Sequence, residues 1–255
     1  MQESQTSTGP TRWLMYQKPR PQARLRLFCF PYAGGGALLF RNWPTELPPT
    51  VEVYPVQLPG RGNRIREEPF TDLFQLVEAA AKELLPYFDK PFAFFGHSMG
   101  AIISFELIRL LRRMNGPLPR HLFISGSRAP QIPDPRPPTY NLPDVEFLQR
   151  LEELKGTPTE VLENAELLQL ILPVVRADMT VCQTYDYLEE PPLNIPITAY
   201  GGLQDEEVSR AFLEAWQAQT TVFFKMRMLP GDHFFLNTVR QLFFQMFIQD
   251  LIGLV

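Results

Sequence analysis

The chain of 255 residues is poor in several features that mark common protein classes. Its two cysteines, Cys29 and Cys182, lie far apart among apolar neighbours, which excludes a disulfide scaffold and predicts buried free thiols. Basic residues are not in excess, because 24 Lys and Arg face 28 Asp and Glu, so nucleic acid is a poor candidate ligand. No stretch of 18 apolar residues occurs and residues 1–10 are polar, so neither a membrane span nor a secretory signal is predicted. We expect a soluble, cytoplasmic protein.

The composition is that of a globular protein, with 45% hydrophobic and 20% charged residues. The length fits one large domain or one domain with an insert. Residues 1–22 contain Pro10, Pro19 and Pro21 and show no sustained periodicity. They are interpreted as a loosely held tail, followed by a single domain over residues 23–255.

Short apolar segments alternate with segments of helical periodicity. Strands are predicted at residues 24–30, 51–57, 91–95, 121–125, 195–200 and 221–226, and helices at 72–87, 101–114, 207–217 and 236–251. This alternation predicts an α/β fold with a mostly parallel sheet flanked by helices. Between about residues 130 and 192, a proline-rich stretch leads into helical segments at 145–154 and 165–179, and no strand is predicted. This segment is interpreted as an insertion into the α/β domain.

The sequence Gly96-His97-Ser98-Met99-Gly100 follows a predicted strand and precedes a predicted helix. In such a strand-turn-helix elbow the serine has a strained backbone, which requires small residues two positions away on either side, and its hydroxyl projects above the sheet. Ser98 is therefore the predicted nucleophile of a hydrolase. The alternative is an incidental turn.

A serine hydroxyl needs a base, and the chain has three histidines. His97 adjoins Ser98, so its ring would have to fold back along the backbone, and His121 opens a strand at the opposite end of the sheet. His233 lies in the loop between the last predicted strand and the closing helix, at the same edge as Ser98. His233 is the predicted general base, with a structural loop histidine as the alternative.

The third member of such a triad is a carboxylate that binds the other imidazole nitrogen. Asp205 lies just beyond the carboxyl end of the strand at 195–200, and the order Ser98, Asp205, His233 is that of an α/β-hydrolase. Asp134, after the fourth strand, is the alternative acid. Asp232 is too close to His233 in sequence to orient it.

The oxyanion formed after attack needs two backbone N–H donors. One is predicted at Met99, directly after the nucleophile. The other is predicted at Ala33, in the glycine-rich loop over residues 30–36, with Tyr32 and Gly34 as alternatives. No Lys-Ser/Thr pair follows these glycines, which argues against a phosphate cradle. The histidines lie in different elements without a cysteine pair, so neither metal nor cofactor is expected.

Six segments resemble, in the expected order, signatures of the stand-alone type II thioesterases of nonribosomal peptide and polyketide synthesis. They are FPYAGG at 30–35, LPGR at 58–61, FGHSMGA at 95–101, SGSRAP at 125–130, RAD at 176–178 and GDHFF at 231–235. The resemblance covers about residues 24–250, and Asp232 departs from it because the family usually has glycine there. It implies an α/β-hydrolase fold in which residues 130–192 form a helical lid. It also implies hydrolysis of acyl or aminoacyl thioesters on the phosphopantetheine arm of acyl or peptidyl carrier proteins.

Two other functions remain open from the residues alone. A carboxylesterase or lipase acting on small oxoesters would use the same elbow. A catalytically idle hydrolase fold would bind carrier proteins without turnover. In each case we expect a monomer that contacts neither nucleic acid nor membrane.

Two groups of side chains near the predicted site have more than one interpretation. Apolar residues of the lid between Phe147 and Met179 could line an acyl chamber, but packing of the lid onto the body is favoured for most of them. Arg61, Arg64 and Arg66 could meet the phosphate of the arm or an acidic carrier surface. A solvated charge cluster is the favoured interpretation of these arginines.

Overall fold

The computed structural model describes residues 11–156 and 159–255, and in that part of the chain one sheet organises the fold. Its strands are β1 (Leu25–Phe30), β2 (Val51–Pro55), β3 (Phe92–His97), β4 (Leu122–Ser125), β5 (Ile197–Gly202) and β6 (Phe224–Leu229). All neighbours are parallel, and the strand order is β2-β1-β3-β4-β5-β6. The predicted parallel α/β sheet is confirmed.

Helices cover both faces of the sheet, because successive residues of β1 belong to different apolar clusters: Phe28 and Phe30 to one, Leu27 and Cys29 to the other. The helices before β5 are α1 (Trp43–Glu46), α2 (Leu73–Leu84), α3 (Met99–Arg113), α4 (Asp144–Leu154), α5 (Thr159–Leu162) and α6 (Ala165–Gln183). Those after β5 are α7 (Arg210–Glu214), α8 (Phe235–Thr238) and α9 (Arg240–Ile252). Helices α2 and α3 pack on the first cluster, and α1 and α9 on the second.

The last helix, α9, packs into the protein. Phe243, Phe247 and Leu251 are fully buried in the second apolar cluster, where the two phenylalanine rings meet Trp43 of α1. Among the helices that the structure describes, none is both long enough and apolar enough to cross a membrane.

Two predicted elements, the last strand and the helix before it, differ clearly from the sequence pattern at their starts. Strand β6 starts at Phe224 rather than at residue 221, because Val222 and Phe223 are more than half exposed and precede the sheet. The helix predicted at 207–217 is the short α7 followed by a 3-10 turn over Ala215–Gln219. Ser209 caps α7 by accepting a hydrogen bond from the Phe212 N–H.

The interpretation of residues 1–22 as a loosely held tail is wrong for the part around Trp13, and residues 1–10 lie outside the described residues. Trp13 is only 5% exposed, and its carbonyl accepts a hydrogen bond of 2.7 Å from the Gln57 N–H. The Arg64 guanidinium lies 4.5 Å from the centre of the Trp13 ring. Leu14 is buried to the same extent and forms a bridge with Val56. Two buried residues are too few to show a periodicity, so the sequence pattern did not reveal this contact.

The segment between β4 and β5 carries the three helices α4, α5 and α6. Arg176 of α6 ties them to the stretch before α4 by donating to the carbonyls of Tyr140 and Leu142. Helix α6 contains Pro173, which divides it into two halves of different exposure. The half before Pro173 exposes Leu167 and Leu170, and the half after it is largely buried.

Candidate active site

The turn between β3 and α3 has the geometry of a nucleophile elbow. Ser98 has φ 53° and ψ −115°, a strained conformation for a residue with a side chain. The flanking glycines are required by close backbone contacts: a Cβ on Gly96 would lie 2.2 Å from the Gly100 carbonyl oxygen. A Cβ on Gly100 would lie 2.2 Å from the Phe30 carbonyl oxygen. The tight turn lifts Ser98 onto the carboxyl edge of the sheet.

The structure brings Asp205 and His233 together at the same edge. The His233 Nδ1 atom lies 2.9 Å from Asp205 Oδ2. Asp205 Oδ1 accepts hydrogen bonds from the N–H groups of Glu207, at 2.8 Å, and Val208, at 3.0 Å. The Asp205 side chain has no exposed surface, so three hydrogen bonds fix a buried carboxylate against the imidazole.

The alternative acid, Asp134, has other partners. Its carboxylate pairs with Arg128 at 2.9 Å and accepts hydrogen bonds from Arg136. Burial alone would raise the pKa of Asp134, but the hydrogen bonds from Arg136 and Arg128 outweigh it and lower this pKa. Asp134 is thus held in an ion-pair network on the wall of the site.

Ser98 and His233 both line a cavity of about 990 Å³. Within the described residues, no hydrogen bond joins the Ser98 hydroxyl to the imidazole. Such bonds are often long in the absence of substrate and tighten in the reacting complex. The ring of His233 is 13% exposed, so it is accessible from the cavity while its Nδ1 edge is covered by Asp205.

His97 is buried beneath His233, with the two ring centres 5.2 Å apart. Its Nδ1 atom lies 2.9 Å from the hydroxyl oxygen of Ser125. Burial, reinforced by the charge of His233, holds the pKa of His97 well below its usual value of 6.5. His97 is therefore a neutral ring packed against His233.

His121, the third histidine, lies at the start of β4, away from the elbow. Its Nε2 atom is 2.8 Å from the Thr198 hydroxyl, and its ring stacks on Phe123. Burial lowers the pKa of His121 to about 4. This histidine is a neutral core residue.

Both predicted oxyanion donors have a backbone N–H that is available at the cavity, and so does the alternative Tyr32. The N–H groups of Met99, Ala33 and Tyr32 donate no hydrogen bond within the described residues, and all three residues line the cavity. Met99 begins the 15-residue helix α3, whose dipole favours negative charge there. The N–H of Gly34 is occupied, since it donates to Asp178 Oδ2 at 2.7 Å, and this removes one alternative to Ala33.

The cavity wall is partly apolar and partly charged. Leu151, Val175 and Met179 of the helical segment line it, so a minority of the apolar residues considered from the sequence reach the chamber. Phe147 is fully buried and packs between the helices instead. Among the described residues, no three His, Cys, Asp or Glu side chains are placed to hold a metal ion.

The interpretation of Arg61 and Arg64 as members of a solvated charge cluster is wrong, and neither is free to meet a phosphate. Arg61 is buried and forms two hydrogen bonds with the Asp178 carboxylate. Arg64 is buried as well and donates to the Gln57 carbonyl. Arg66 remains exposed. The partner of Arg61 lies 117 residues away in sequence, whereas Gln57, the partner of Arg64, is seven residues away.

Asp232, where the resembling family usually has glycine, fits the loop before α8. Its carboxylate accepts a hydrogen bond of 2.9 Å from the Phe234 N–H, and its carbonyl accepts one of 3.2 Å from the Phe235 N–H. The departure therefore supports the turn that presents His233.

A family model described as "Thioesterase domain" matches residues 25–250 of the chain. The chain belongs to the thioesterase family. This thioesterase is a hydrolase of thioesters with the α/β-hydrolase fold, and the resemblance stated from its motifs is confirmed.

Individual relatives match this chain over most of their lengths. The thioesterase is 49% identical over 239 residues to "Linear gramicidin dehydrogenase LgrE" of Brevibacillus parabrevis, covering 92% of this chain and 91% of that one. RedJ, described as a thioesterase from the prodiginine biosynthetic pathway in Streptomyces coelicolor, superposes with a TM-score of 0.84 at 42% identity, covering 90% and 86% of the two chains. The type II thioesterase BorB from the borrelidin biosynthetic cluster superposes with a TM-score of 0.86 at 32% identity, covering 96% and 99%.

Proposed function

We propose that this thioesterase removes acyl or aminoacyl groups from the phosphopantetheine arm of carrier proteins in nonribosomal peptide or polyketide synthesis. The names of its relatives, which mention gramicidin, a prodiginine pathway and a borrelidin cluster, support this setting. We take the acting form to be a monomer of the cytoplasm, where the free thiols of Cys29 and Cys182 would remain reduced.

In the proposed reaction, the Ser98 hydroxyl attacks the thioester carbonyl and His233 Nε2 takes its proton. Asp205 keeps the proton on Nδ1 and stabilises the imidazolium that forms. The N–H groups of Ala33 and Met99 bind the oxyanion. The thiolate leaves and takes up the proton held by His233, so the imidazole is neutral again. It then takes a proton from a water molecule that attacks the acyl-enzyme, and passes this proton to the Ser98 oxygen as the acid is released.

The leaving group makes the second proton transfer less demanding than in an oxoester. A thiol has a pKa near 8.5, so it departs largely as the thiolate and relies little on protonation by His233. The same residues would cleave an oxoester more slowly at that step. The geometry thus supports thioesters without excluding activated esters as test substrates.

The observation that carries the proposal is the hydrogen bond between Asp205 and His233. Because Nδ1 is held at 2.9 Å by a fully buried carboxylate, the other ring nitrogen is left to face the cavity that Ser98 lines. The cavity volume of about 990 Å³ is large enough for an acyl group together with part of the arm. Helices α4 and α6 contribute to its wall and act as the proposed lid.

The decisive experiment is the Ser98→Ala variant assayed on an acyl thioester of a carrier protein. Its turnover is expected to fall by roughly 10⁴- to 10⁶-fold, because the members of a triad act as one unit. Near-normal hydrolysis by this variant would end the assignment.

Two further measurements separate the rival functions. Labelling of Ser98 by a fluorophosphonate is expected in the wild type, whereas an idle binding module would leave it unmodified. Comparison of a carrier-bound thioester with acyl glycerol or a nitrophenyl ester tests the esterase alternative. A higher kcat/KM on acyl glycerol would favour a lipase.

A further inference from the structure

A buried ion pair joins three segments that are remote in sequence. Arg61 follows β2, Asp178 lies in the buried half of α6, and their side chains are 9% and 3% exposed. Arg61 Nη1 lies 2.5 Å from Asp178 Oδ2, and Nη2 lies 2.8 Å from Oδ1. Both residues belong to motifs, LPGR and RAD, for which the triad chemistry assigns no role.

Both partners of this pair also bind the backbone of the glycine-rich loop over residues 30–36. Asp178 Oδ2 accepts the N–H of Gly34 at 2.7 Å, and Arg61 Nη1 donates to the carbonyl of Gly35 at 3.0 Å. The loop is thus held at two successive residues directly after Ala33. One is bound through its donor and the other through its acceptor.

Packing restricts the same loop from the side of α6. Gly34 has φ +78°, and a Cβ there would lie 2.9 Å from Cγ2 of Val175. Val175 is in the same helix as Asp178, one turn earlier. The helix therefore contacts the loop both through an apolar side chain and through a charged one.

Stability alone is a poor explanation for this arrangement. The desolvation of two buried charges offsets much of their attraction, and apolar side chains of similar volume are often as good or better. A bidentate Arg–carboxylate pair has a fixed geometry, however, which apolar contacts do not provide. This fixed geometry orients the peptide group between Ala33 and Gly34, which adjoins the Ala33 N–H.

We propose that Asp178, itself oriented by Arg61, is a positioning residue for catalysis that aims the Ala33 N–H at the developing oxyanion. The proposal rests on the proposed use of Ala33 as an oxyanion donor. A displacement of about 1 Å costs about 10²-fold in rate, and loss of one oxyanion donor costs about 10²- to 10³-fold. Loss of the Asp178–Arg61 pair and of its hydrogen bonds to the loop is therefore expected to lower kcat by roughly 10- to 100-fold. KM is expected to stay within about threefold of the wild-type value.

The test uses two variants of the full chain. In Asp178→Asn, the amide oxygen still accepts the Gly34 N–H, but its NH₂ group opposes the Arg61 guanidinium. In the double variant Arg61→Met with Asp178→Leu, no charge is left unpaired, so the fold is retained, while the Gly34 N–H loses its acceptor. The double variant is expected to lose more kcat than Asp178→Asn.

The matched control is Asp250→Asn. The Asp250 side chain is 4% exposed and pairs with Arg227 and Lys225 between α9 and β6, outside the cavity wall. This variant is expected to lower the melting temperature and to leave kcat within about twofold of the wild type. It measures what loss of a comparably buried, paired carboxylate does by structure alone.

The readout that separates positioning from general distortion is the inhibition constant of an alkyl boronic acid, which forms a tetrahedral anion on the serine. In the double variant this constant is expected to rise in parallel with the loss of kcat/KM, while KM stays nearly constant. Unchanged kcat and boronate affinity in a folded double variant would overturn the proposal. A rise in KM that accounts for the whole loss would do so as well. Failure of the proposed function itself shows up separately, as activity in Ser98→Ala.

Discussion

The Asp205→Asn variant gives the sharpest test of the triad, because the structure dictates how the amide must point. Asp205 Oδ1 accepts two backbone N–H groups, from Glu207 and Val208. The single amide oxygen of asparagine has to satisfy these two donors, so its NH₂ group faces His233 Nδ1. Nδ1 then accepts a hydrogen bond from the amide, and the ring proton moves to Nε2. A protonated Nε2 cannot accept the hydrogen of the Ser98 hydroxyl.

The expected loss follows from this wrong tautomer. In a serine triad it lowers kcat by about 10⁴-fold, which corresponds to about 5 kcal/mol of transition-state stabilisation. The fold should persist, because both backbone hydrogen bonds to the side chain remain. The assay is release of free thiol from an aminoacyl N-acetylcysteamine thioester, with the melting temperature recorded in parallel.

Asp134→Asn is the discriminating comparison. It weakens the ion pairs with Arg128 and Arg136 but leaves the imidazole untouched, so the loss is expected to stay within about tenfold. If Asp205→Asn kept more than a tenth of the wild-type kcat, or if Asp134→Asn were the more damaged variant, the assignment of the acid would be refuted.

Two further predictions concern pH and the chamber. The folded pKa of His121, about 4, lies below its ordinary value of 6.5, so the unfolded chain binds a proton first as the pH falls and stability is lost between these values. His121→Gln should therefore reduce the loss of unfolding free energy between pH 7 and 4.5 by about 2 to 3 kcal/mol, as measured by urea unfolding. The same dependence of unfolding free energy on pH in the variant and the wild type would contradict this prediction. Met179→Trp fills part of the cavity and should lower kcat/KM for decanoyl relative to acetyl thioesters by about tenfold or more; an unchanged ratio would show that the long chain lies elsewhere.

The elements that carry strong local patterns were predictable from the sequence. Strand β3 and helix α3 follow from an apolar run, an elbow with two glycines and a helical periodicity, all within about 25 residues. The order of the strands then places residues that follow β5 and β6 at the same edge as Ser98. This is why the sequence alone predicts that Asp205 and His233, 28 residues apart, lie at one site.

The features that escaped prediction depend on contacts between distant segments. Nothing near Arg61 indicates that its partner is Asp178, 117 residues further on. The sequence pattern begins β6 too early because Val222 and Phe223 are apolar, although both side chains are more than half exposed to solvent. Apolar character reports burial only on average, and the end of a strand is decided by its neighbour in the sheet.

Helix α6, of 19 residues, consists of an exposed half before Pro173 and a largely buried half after it. Pro173 has no N–H to offer the preceding turn, so the helix is weakest where its solvent-facing half meets its anchored half. Bending of α6 is therefore expected at residues 165–172 and not at Asp178, which lies in the buried half.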